Sequence, residues 1–288
     1  MKSFSLNIRG QIRAFTRPQV MGILNVTPDS FFDGSRTLGN PDPAADMIKE
    51  TAARMISEGA DMIDVGGYST RPGADEVSPD EELRRVRLGI AAVRELSSDI
   101  ILSVDTWRSE VARVAVTECG CDIVNDISAG TLDPEMIPTV ASLKVPYIMM
   151  HTRGTPATMD ALTGYPDGVV AGVASELRAR IVEATLAGIA DIIVDPGFGF
   201  AKTVEENYAL LAGLSELSQL LDSRPMLVGV SRKSMLYRPL GLTPADVLPA
   251  TTAVNTLALE RGAAILRVHD VIPCHQALAV TSLLSNNQ

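Results

Sequence analysis

Eight short apolar runs recur along the chain, and a longer amphipathic stretch follows each of them. The runs are continuous rather than alternating, which is typical of strands buried on both faces of a parallel sheet. They cover residues 20–26, 62–66, 100–104, 123–127, 146–150, 192–194, 226–230 and 265–268. The stretches between them predict helices over residues 43–58, 79–96, 107–118, 134–143, 167–188, 203–220, 246–261 and 272–285.

Eight strand-and-helix units in succession favour an α/β fold, a single (β/α)8 TIM barrel. A doubly wound open sheet is the main alternative. Glycine stands just past several predicted helices, at Gly59, Gly120, Gly188 and Gly262. Such positions often need the left-handed backbone that glycine adopts most easily, so these residues mark helix ends.

The first residues follow a different pattern, because Phe4, Leu6 and Ile8 alternate with polar positions before a turn signal and a second alternating segment. Alternation around a short turn predicts a β-hairpin. We expect this N-terminal hairpin, residues 1–17, to cover the bottom of the barrel. Residues 1–288 then form one domain, since α/β barrels reach about 250 residues or more as a single unit.

Composition and charge argue against some classes of binding partner. The chain has 25 basic and 35 acidic side chains, a net charge of -10, and no run of five or six Lys/Arg. This argues against nucleic acid and anionic membranes, whose binding depends on clustered positive charge. No stretch approaches the 18 apolar residues of a membrane span, and the N-terminus lacks the apolar core of a signal peptide. We therefore expect a cytoplasmic protein.

Cysteine usage gives no sign of a disulfide framework or a zinc site. The three cysteines, Cys119, Cys121 and Cys274, form neither a CxxC pair nor a Cys/His spacing suited to zinc. We expect reduced thiols that pack like small apolar side chains.

Polar residues stand at the ends of nearly all predicted strands. In a barrel these ends converge on one mouth, where active sites are built. Burying several carboxylates and amides together costs a few kcal/mol for each unpaired group, which favours a ligand site there. Asp64 alone is more simply interpreted as structural. The set is Asn25, Asp64, Asp105, Asn125, His151, Asp195, Ser231, Lys233, Arg267 and His269.

Two features of this set suggest specific chemistry. Arg267 and His269 are one residue apart, so on a strand they point to the same side and can hold one anion together. A solvated surface pair is the alternative. Lys233 follows the seventh barrel strand and could bind a ligand, form a Schiff base or remain solvated. The segment 229–234 lacks the second glycine of a P-loop.

Seven segments at these strand ends closely resemble the dihydropteroate synthase family. A stretch at 151–156 resembles it more weakly, and the chain departs from the family with Tyr68 in place of the usual Glu and Thr152 in place of the usual Met. The seven are 21–31 (MGILNVTPDSF), 64–73 (DVGGYSTRPG), 103–106 (SVDT), 124–127 (VNDI), 195–200 (DPGFGF), 231–234 (SRKS) and 267–270 (RVHD).

The resemblance implies an enzyme, a transferase of folate biosynthesis. It would join 6-hydroxymethyl-7,8-dihydropterin pyrophosphate to 4-aminobenzoate, giving 7,8-dihydropteroate and pyrophosphate. The resemblance also implies that the chain forms a homodimer and that sulfonamides target its aminobenzoate pocket. Two rival classes stay open: a non-catalytic pterin-binding homologue that works through a partner, and a methyltransferase barrel that binds a methylated folate.

The same resemblance assigns roles to individual residues. Asp195 would accept two parallel N–H bonds from the pterin edge, as only a carboxylate can. Asp105, Asn125 and Lys233 would complete the pterin site, while Arg267 and His269 would hold the pyrophosphate. The implied catalytic residues are Lys233, Arg267, His269 and Asp105. Mg²⁺ would be bound by Asn25 and Asp33. The residues around aminobenzoate would be Phe31, Thr70, Pro72, Phe200 and Ser234, and Arg71 would bind substrate from the loop that folds over the site.

Overall fold

The computed structural model describes residues 3–27, 43–68 and 77–285. Its strands are β1 (Phe4–Ile8), β2 (Gln11–Phe15), β3 (Gln19–Asn25), β4 (Met62–Gly66), β5 (Ile101–Asp105), β6 (Ile123–Asp126), β7 (Tyr147–Met150), β8 (Ile192–Asp195), β9 (Leu227–Val228) and β10 (Ile265–Val268). Its α-helices are α1 (Pro43–Ser57), α2 (Pro79–Leu96), α3 (Ser109–Thr117), α4 (Met136–Leu143), α5 (Val169–Leu186), α6 (Val204–Ala212), α7 (Leu214–Leu220), α8 (Ser234–Leu240), α9 (Leu248–Glu260) and α10 (Val271–Ser285).

Strands β3 to β10 form one parallel sheet in the order β8-β7-β6-β5-β4-β3-β10-β9. The two outer strands also meet, because Val194 pairs with Met226 in a parallel bridge and its N–H donates to the carbonyl of Pro225 at 3.0 Å. The sheet therefore curls into a nearly closed barrel with helices outside it. The predicted (β/α)8 barrel is confirmed, and the open-sheet alternative is wrong.

The N-terminal hairpin covers the amino-terminal end of this barrel, as predicted. Strands β1 and β2 pair antiparallel around Arg9 and Gly10, whose φ angles of 54° and 77° suit the tight two-residue turn of a hairpin. Leu6, Ile8 and Phe15 are buried against a ring of apolar side chains, one from each barrel strand, which we call the base layer. The base layer is Met21, Met62, Ile101, Ile123, Ile148, Ile193, Leu227 and Ile265.

A buried acid fastens the hairpin to the barrel. Arg9 donates from Nε to Asp122 at 2.7 Å, and Arg94 donates to the other oxygen of Asp122 at 2.9 Å. The same oxygen also accepts the backbone N–H of Leu102 at 2.9 Å. The guanidinium of Arg9 and these further donors keep the pKa of Asp122 below its usual range, although burial opposes them. Both oxygens of Asp122 are thus paired.

Helix ends follow the sequence signals closely. Ser78 accepts the N–H of Glu81 at 3.3 Å at the start of α2, and the four predicted helix-ending glycines all have positive φ angles between 76° and 100°. The predicted helix 203–220 is two helices, α6 and α7. They meet at Gly213, where a β-carbon would lie 2.5 Å from the side chain of Val170. The short helix α8 is absent from the helices that the apolar pattern predicts, although the family resemblance implies a helix start at Ser234.

Other expectations can be checked against the same residues. All three cysteines are free thiols; Cys121 and Cys274 are buried and Cys119 is half-buried. Within the part of the chain that the structure describes, none of the helices combines the length and apolar character that crossing a membrane requires.

Candidate active site at the carboxyl-terminal mouth

Side chains of a barrel strand point alternately inwards and outwards. The residue two positions after each base-layer side chain therefore also points inwards, one step nearer the carboxyl-terminal mouth. We call these residues the second layer. It consists of Ile23, Asp64, Ser103, Asn125, Met150, Asp195, Gly229 and Arg267. Asn25, Asp105 and His269 lie one step further along β3, β5 and the end of β10.

Arg267 joins two acids, and one of them also binds an amide. Its Nε lies 2.6 Å from Oδ2 of Asp64, and its Nη2 lies 2.5 Å from Oδ2 of Asp105. The same oxygen of Asp64 accepts a hydrogen bond of 2.9 Å from the side-chain amide of Asn125. Three predicted site residues from three strands therefore meet, and Asp64, which the sequence suggested was structural, connects them.

Burial dominates the electrostatics of this network. It raises the pKa of Asp105, and the carboxylate of Asp64 adds to the shift while Arg267 opposes it. Burial also works against the charge of Arg267, but Asp64 and Asp105 outweigh it and raise the pKa of the guanidinium further above its usual value. The guanidinium stays charged, so the mouth keeps a permanent cation between two acids.

Two buried polar atoms of the second layer have no hydrogen-bond partner among the described residues, Oδ1 of Asp64 and Oγ of Ser103. The two residues are register partners on β4 and β5. Unsatisfied polar atoms in a protein interior cost stability, and the usual compensation is water or a ligand. The mouth of the barrel at these two atoms is therefore suited to a polar ligand.

Asn25 is one of the two residues that the family resemblance assigns to Mg²⁺. Gly66 pairs in register with both Asn25 and Asp105, and a β-carbon at Gly66 would lie 3.5 Å from Oδ1 of Asn25 and 3.6 Å from Oδ2 of Asp105. Oxygen donors of this kind fit Mg²⁺. Among residues 3–27, 43–68 and 77–285, no three His, Cys, Asp or Glu side chains are grouped to hold a metal. Most ligands of such an ion would come from elsewhere.

Asp195 stands at the end of β8, where a tight turn sets its side chain. Its Oδ1 accepts the N–H of Gly197 at 2.8 Å. Gly197 has a φ of 69°, and a β-carbon there would lie 1.9 Å from the carbonyl oxygen of His151, so only glycine fits. Burial raises the pKa of Asp195, while Lys233, Gly197 and Arg267 counteract the rise. Asp195 and Arg267 thus face the same cavity.

Lys233 caps the start of α8 and reaches back across the mouth. Its ammonium group donates to the carbonyl of Phe198 and lies 4.5 Å from the centre of the Phe200 ring. Burial lowers the pKa of Lys233 to about 8, and Arg267 lowers it further while Asp195 opposes the shift. Ser234 is the first residue of α8. Lys233 is therefore held in the cavity with Asp195 and Phe200, rather than extended into solvent.

His269 is positioned by its neighbour on the preceding strand end. Its Nδ1 lies 3.0 Å from Oγ of Ser231, and its backbone N–H donates to the same oxygen at 3.3 Å. Beside it, Arg232 forms a two-point ion pair with Asp270, at 3.0 and 2.7 Å. This pair joins the loops after β9 and β10, which carry Lys233 and His269.

The structure corrects the interpretation of one strand end. His151 follows Met150, so it lies one residue out of phase with the inward positions and points out of the barrel. Its Nε2 lies 3.0 Å from Glu176 on α5, and its Nδ1 lies 3.0 Å from Nζ of Lys202. Lys202 is not among the residues that the sequence pattern predicts for the site. The alternation of the strand could have shown that His151 points outwards, whereas Lys202 lies in a loop and gave no such signal.

Tyr68, which stands where the family usually has Glu, packs against an aromatic ring and a cation. Its ring packs edge-on against Trp107 at 4.4 Å, and the guanidinium of Arg108 lies 5.4 Å from the centre of the Tyr68 ring. Arg108 is ion-paired with the buried Glu82, which also accepts a hydrogen bond of 2.6 Å from Thr106. Tyr68 therefore packs against a fixed cation at the rim.

Five predicted site residues, Phe31, Asp33, Thr70, Arg71 and Pro72, lie outside the described residues.

Comparison with known proteins gives matches over most of the chain. The family model described as pterin binding enzyme matches residues 21–269. The dihydropteroate synthase of Synechocystis is 45% identical over 93% of this chain and 90% of its own length. A structure of Xanthomonas albilineans dihydropteroate synthase with 4-aminobenzoic acid is 40% identical, covers 99% of both chains and has a TM-score of 0.88. The folic acid synthesis protein of Schizosaccharomyces pombe is 44% identical over 87% of this chain, which spans only 34% of that relative.

The barrel, its charged mouth and the family match define the class of a pterin-binding barrel enzyme. Within that class, the chain belongs to the dihydropteroate synthase family.

Proposed function

We propose that the chain acts in folate biosynthesis by joining 6-hydroxymethyl-7,8-dihydropterin pyrophosphate to 4-aminobenzoate, with release of pyrophosphate. The observation that carries this proposal is the meeting of Asp64, Asp105, Asn125 and Arg267 in one mouth that Asp195 and Lys233 also face. Its acids and amide suit the N–H groups of a pterin, and its cations suit a pyrophosphate. The Xanthomonas albilineans neighbour, described with 4-aminobenzoic acid, supports the second substrate.

Pterin binding would fall to the inward acids and amide. Asp195 offers a carboxylate that a pterin edge can meet with two parallel N–H donors. Asp105 and Asn125 are fixed beside each other, because they are register partners on β5 and β6 and both belong to the Arg267 network. Lys233 would contact the pterin on the side that faces Phe200. Strands rather than loops hold Asp195, Asp105 and Asn125, which favours a preformed pocket.

Pyrophosphate would be bound by Arg267 and His269. The contacts with Asp64 and Asp105 use Nε and Nη2 of Arg267, so Nη1 would donate to the phosphate oxygens. Ser231 orients the ring of His269 through Nδ1, which would direct Nε2 to the same anion. Charge-assisted hydrogen bonds of this kind strengthen as the departing oxygen gains charge, so they promote bond cleavage as well as binding.

Mg²⁺ would be bound by Asn25 and, outside the described residues, by Asp33, with pyrophosphate oxygens and water completing its ligands. When bound, it would neutralise negative charge on the pyrophosphate.

Aminobenzoate would lie against Phe200 with its carboxylate near Ser234, and Phe31, Thr70, Arg71 and Pro72 would enclose it. Sulfonamides would compete for this pocket. The homodimer and the cytoplasmic location stay predictions.

The mechanism we propose is dissociative. Arg267 and His269 stabilise departing pyrophosphate, a pterin methylene cation forms, and the unprotonated arylamine attacks it. Because an arylamine is neutral at pH 7, the reaction needs no strong general base. Oxygen exchange between bridging and non-bridging positions of the pyrophosphate, measured without aminobenzoate, tests this step. Exchange is expected; its absence, together with strict second-order kinetics, would show direct displacement instead.

The overall reaction is tested by measuring pyrophosphate release from the pterin substrate with and without aminobenzoate. We expect release that depends on aminobenzoate and yields dihydropteroate in equal amount. Binding of the pterin without any turnover would indicate the non-catalytic homologue. Transfer of a methyl group from a methylated folate, with no pyrophosphate chemistry, would indicate the methyltransferase class.

A further inference from the structure

The loop between β8 and α6, residues 196–203, has backbone carbonyls that side chains hold one after another. Lys202 donates to the carbonyls of Gly197 and Phe200, at 2.9 and 3.0 Å, and Lys233 donates to the carbonyl of Phe198 between them. Tyr165 donates to the carbonyl of Ala201 at 3.1 Å. A loop fastened at so many carbonyls is preformed, although it belongs to neither a helix nor a strand.

Lys202 is the unusual member of this arrangement because its amino group is buried, and burial lowers the pKa of Lys202 to about 7. In its charged form the side chain has three N–H donors, and it meets three acceptors: the carbonyls of Gly197 and Phe200, and Nδ1 of His151 at 3.0 Å. Taking an ammonium group out of water is costly, and a neutral donor could hold a single carbonyl. The lysine instead binds the two carbonyls that bracket Phe198 and Gly199.

His151 is built to accept this hydrogen bond. Its Nε2 lies 3.0 Å from Glu176, which is ion-paired with Arg153, so the proton stands on Nε2 and Nδ1 is an acceptor. Burial lowers the pKa of His151 to about 4, and Lys202 lowers it further, so the ring is neutral at pH 7. The chain from Arg153 to Lys202 thus fixes the position of the ammonium group from behind the loop.

The loop in turn faces the mouth at one place. Lys233 contacts the carbonyl of Phe198, a β-carbon on Gly199 would lie 3.2 Å from Cδ of Lys233, and the ring of Phe200 lies against the Lys233 ammonium group. Lys202 therefore approaches the loop from one side and Lys233 from the other. Lys202 contributes to the position of Phe200 because it holds the carbonyl of Phe200 directly, while Asn207 accepts the N–H of Gly199 at 2.7 Å.

We propose that Lys202 is a positioning residue for the aminobenzoate substrate. Through the carbonyls of Gly197 and Phe200 it fixes the loop that sets the Phe200 ring against Lys233, and it touches no substrate itself. This role rests on the proposed function, in which Phe200 forms a wall of the aminobenzoate pocket.

The effect should be larger for aminobenzoate than for the pterin. Lys202 also acts on Asp195, because its charge favours that carboxylate and it holds the carbonyl of Gly197, whose N–H donates to the carboxylate. The backbone of Asp195 and Asn125 nevertheless stands in the barrel ladder, and His151 donates its backbone N–H to the carbonyl of Asp195 at 2.9 Å. Phe200 lies beyond this ladder, and its backbone N–H donates at 3.2 Å to the carbonyl of Gly197, which Lys202 also holds. A small displacement of one binding group is enough to lower reaction efficiency about 10²-fold in well-ordered sites.

The test uses Lys202→Met, which keeps the length of the side chain and removes all three donors. We expect the KM for aminobenzoate to rise about tenfold or more, while the Kd for the dihydropterin pyrophosphate stays within about threefold. The matched control is Asp122→Asn, which disturbs a buried charge at the opposite end of the barrel. It should destabilise the fold and leave both constants unchanged.

A milder pair of variants keeps the test decisive if Lys202→Met unfolds. Asn at position 151 places an oxygen near the position of Nδ1, so His151→Asn should retain the KM for aminobenzoate, whereas His151→Leu should raise it. The double variant Lys202→Met/Phe200→Ala should be no worse for aminobenzoate than Phe200→Ala alone, because both changes act through the same ring.

The proposal is overturned if Lys202→Met or His151→Leu leaves the KM for aminobenzoate unchanged in an active enzyme. It is equally overturned if pterin affinity falls as much as aminobenzoate affinity, or if the losses in the double variant add. These outcomes differ from failure of the proposed function, in which the unmodified protein itself would show no aminobenzoate-dependent release of pyrophosphate.

Discussion

The two ends of the barrel are made by the same strands and differ in what those strands carry. At the amino-terminal end each strand supplies one apolar side chain under the hairpin. Two residues further along, the same inward face carries Asp64, Asn125, Asp195 and Arg267. One step along the barrel axis therefore separates an apolar core from a charged cavity.

Charges at the two ends also have different partners. Asp122, at the amino-terminal end, uses both oxygens for two arginines and a backbone N–H. Asp64, at the mouth, has one oxygen without a partner among the described residues, and burial leaves Asp105, Asp195 and Lys233 with perturbed pKa values. Asp122 is therefore satisfied by the protein itself, whereas Asp64 carries a cost in stability that water or a ligand would remove.

The largest contrast is expected from the same substitution in one arginine at each end. Arg267→Lys keeps a positive charge but cannot bridge Asp64, Asp105 and a pyrophosphate together, so turnover should fall about 10²- to 10³-fold. Arg9→Lys should leave turnover unchanged. Steady-state pyrophosphate release by both variants, after circular dichroism has shown that they are folded, measures the contrast. Equal turnover in the two variants would contradict it.

Removal of the acid at the amino-terminal end should affect stability alone. Asp122→Ala leaves the N–H of Leu102 without an acceptor and removes the carboxylate partner of Arg94, which keeps the carbonyls of Ile100 and Gly120. We expect a loss of about 3 kcal/mol, at the low end for a buried ion pair because Arg9 is partly exposed. Urea unfolding gives the free energy. A turnover number of the folded protein that fell more than about twofold would break the distinction between the ends.

Apolar contacts under the hairpin should behave like those of any core. Ile8 is 1% exposed and packs on the base layer, so Ile8→Ala should lower the free energy of unfolding by about 2–4 kcal/mol. The KM values for both substrates should not change. The same denaturant titration measures the first quantity and steady-state kinetics the second; a loss below about 1 kcal/mol would mean that the hairpin does not contribute to the core.

A smaller effect is expected in the pH dependence of kcat/KM, through the charge of Lys233 at the mouth. Lys233 has a pKa of about 8, so its charge is lost above that pH, and kcat/KM should fall by at most tenfold per unit. Stability should move the other way. Between pH 8 and about 10.4 the unfolded chain binds the proton and the folded chain does not, so unfolding becomes harder as pH rises. Lys233→Arg should remove this limb of the pH–rate profile, and an unchanged limb would assign it to another group.

Much of the barrel follows from local patterns. Apolar runs, helix-ending glycines and the alternation of β1 are properties of neighbouring residues, and they locate the elements within a few positions. The short helix α8 is not recognisable from the apolar pattern, because it directly follows Lys233 and contains Pro239. The break between α6 and α7 depends on Val170, which is distant in sequence.

In the candidate site, too, some features follow from local sequence patterns and others depend on contacts between distant residues. Polar strand ends predict which residues reach the mouth, and the phase of each strand separates Asn125, which points inwards, from His151, which does not. No local pattern shows that Asp64 bridges Asn125 and Arg267, because those contacts span 61 and 203 positions. The burial of Lys202 likewise depends on His151, 51 positions away.

The most direct measurement compares one substitution, Asp to Asn, at each end of the barrel. Calorimetric titration with the dihydropterin pyrophosphate should show affinity reduced about tenfold or more in Asp195→Asn, because an amide N–H would face the pterin donors. Asp122→Asn should bind as the unmodified protein does, once it is shown to be folded. Equal affinity in Asp195→Asn and the unmodified protein, or a larger loss in Asp122→Asn, would contradict the placement of the substrate site at the carboxyl-terminal mouth.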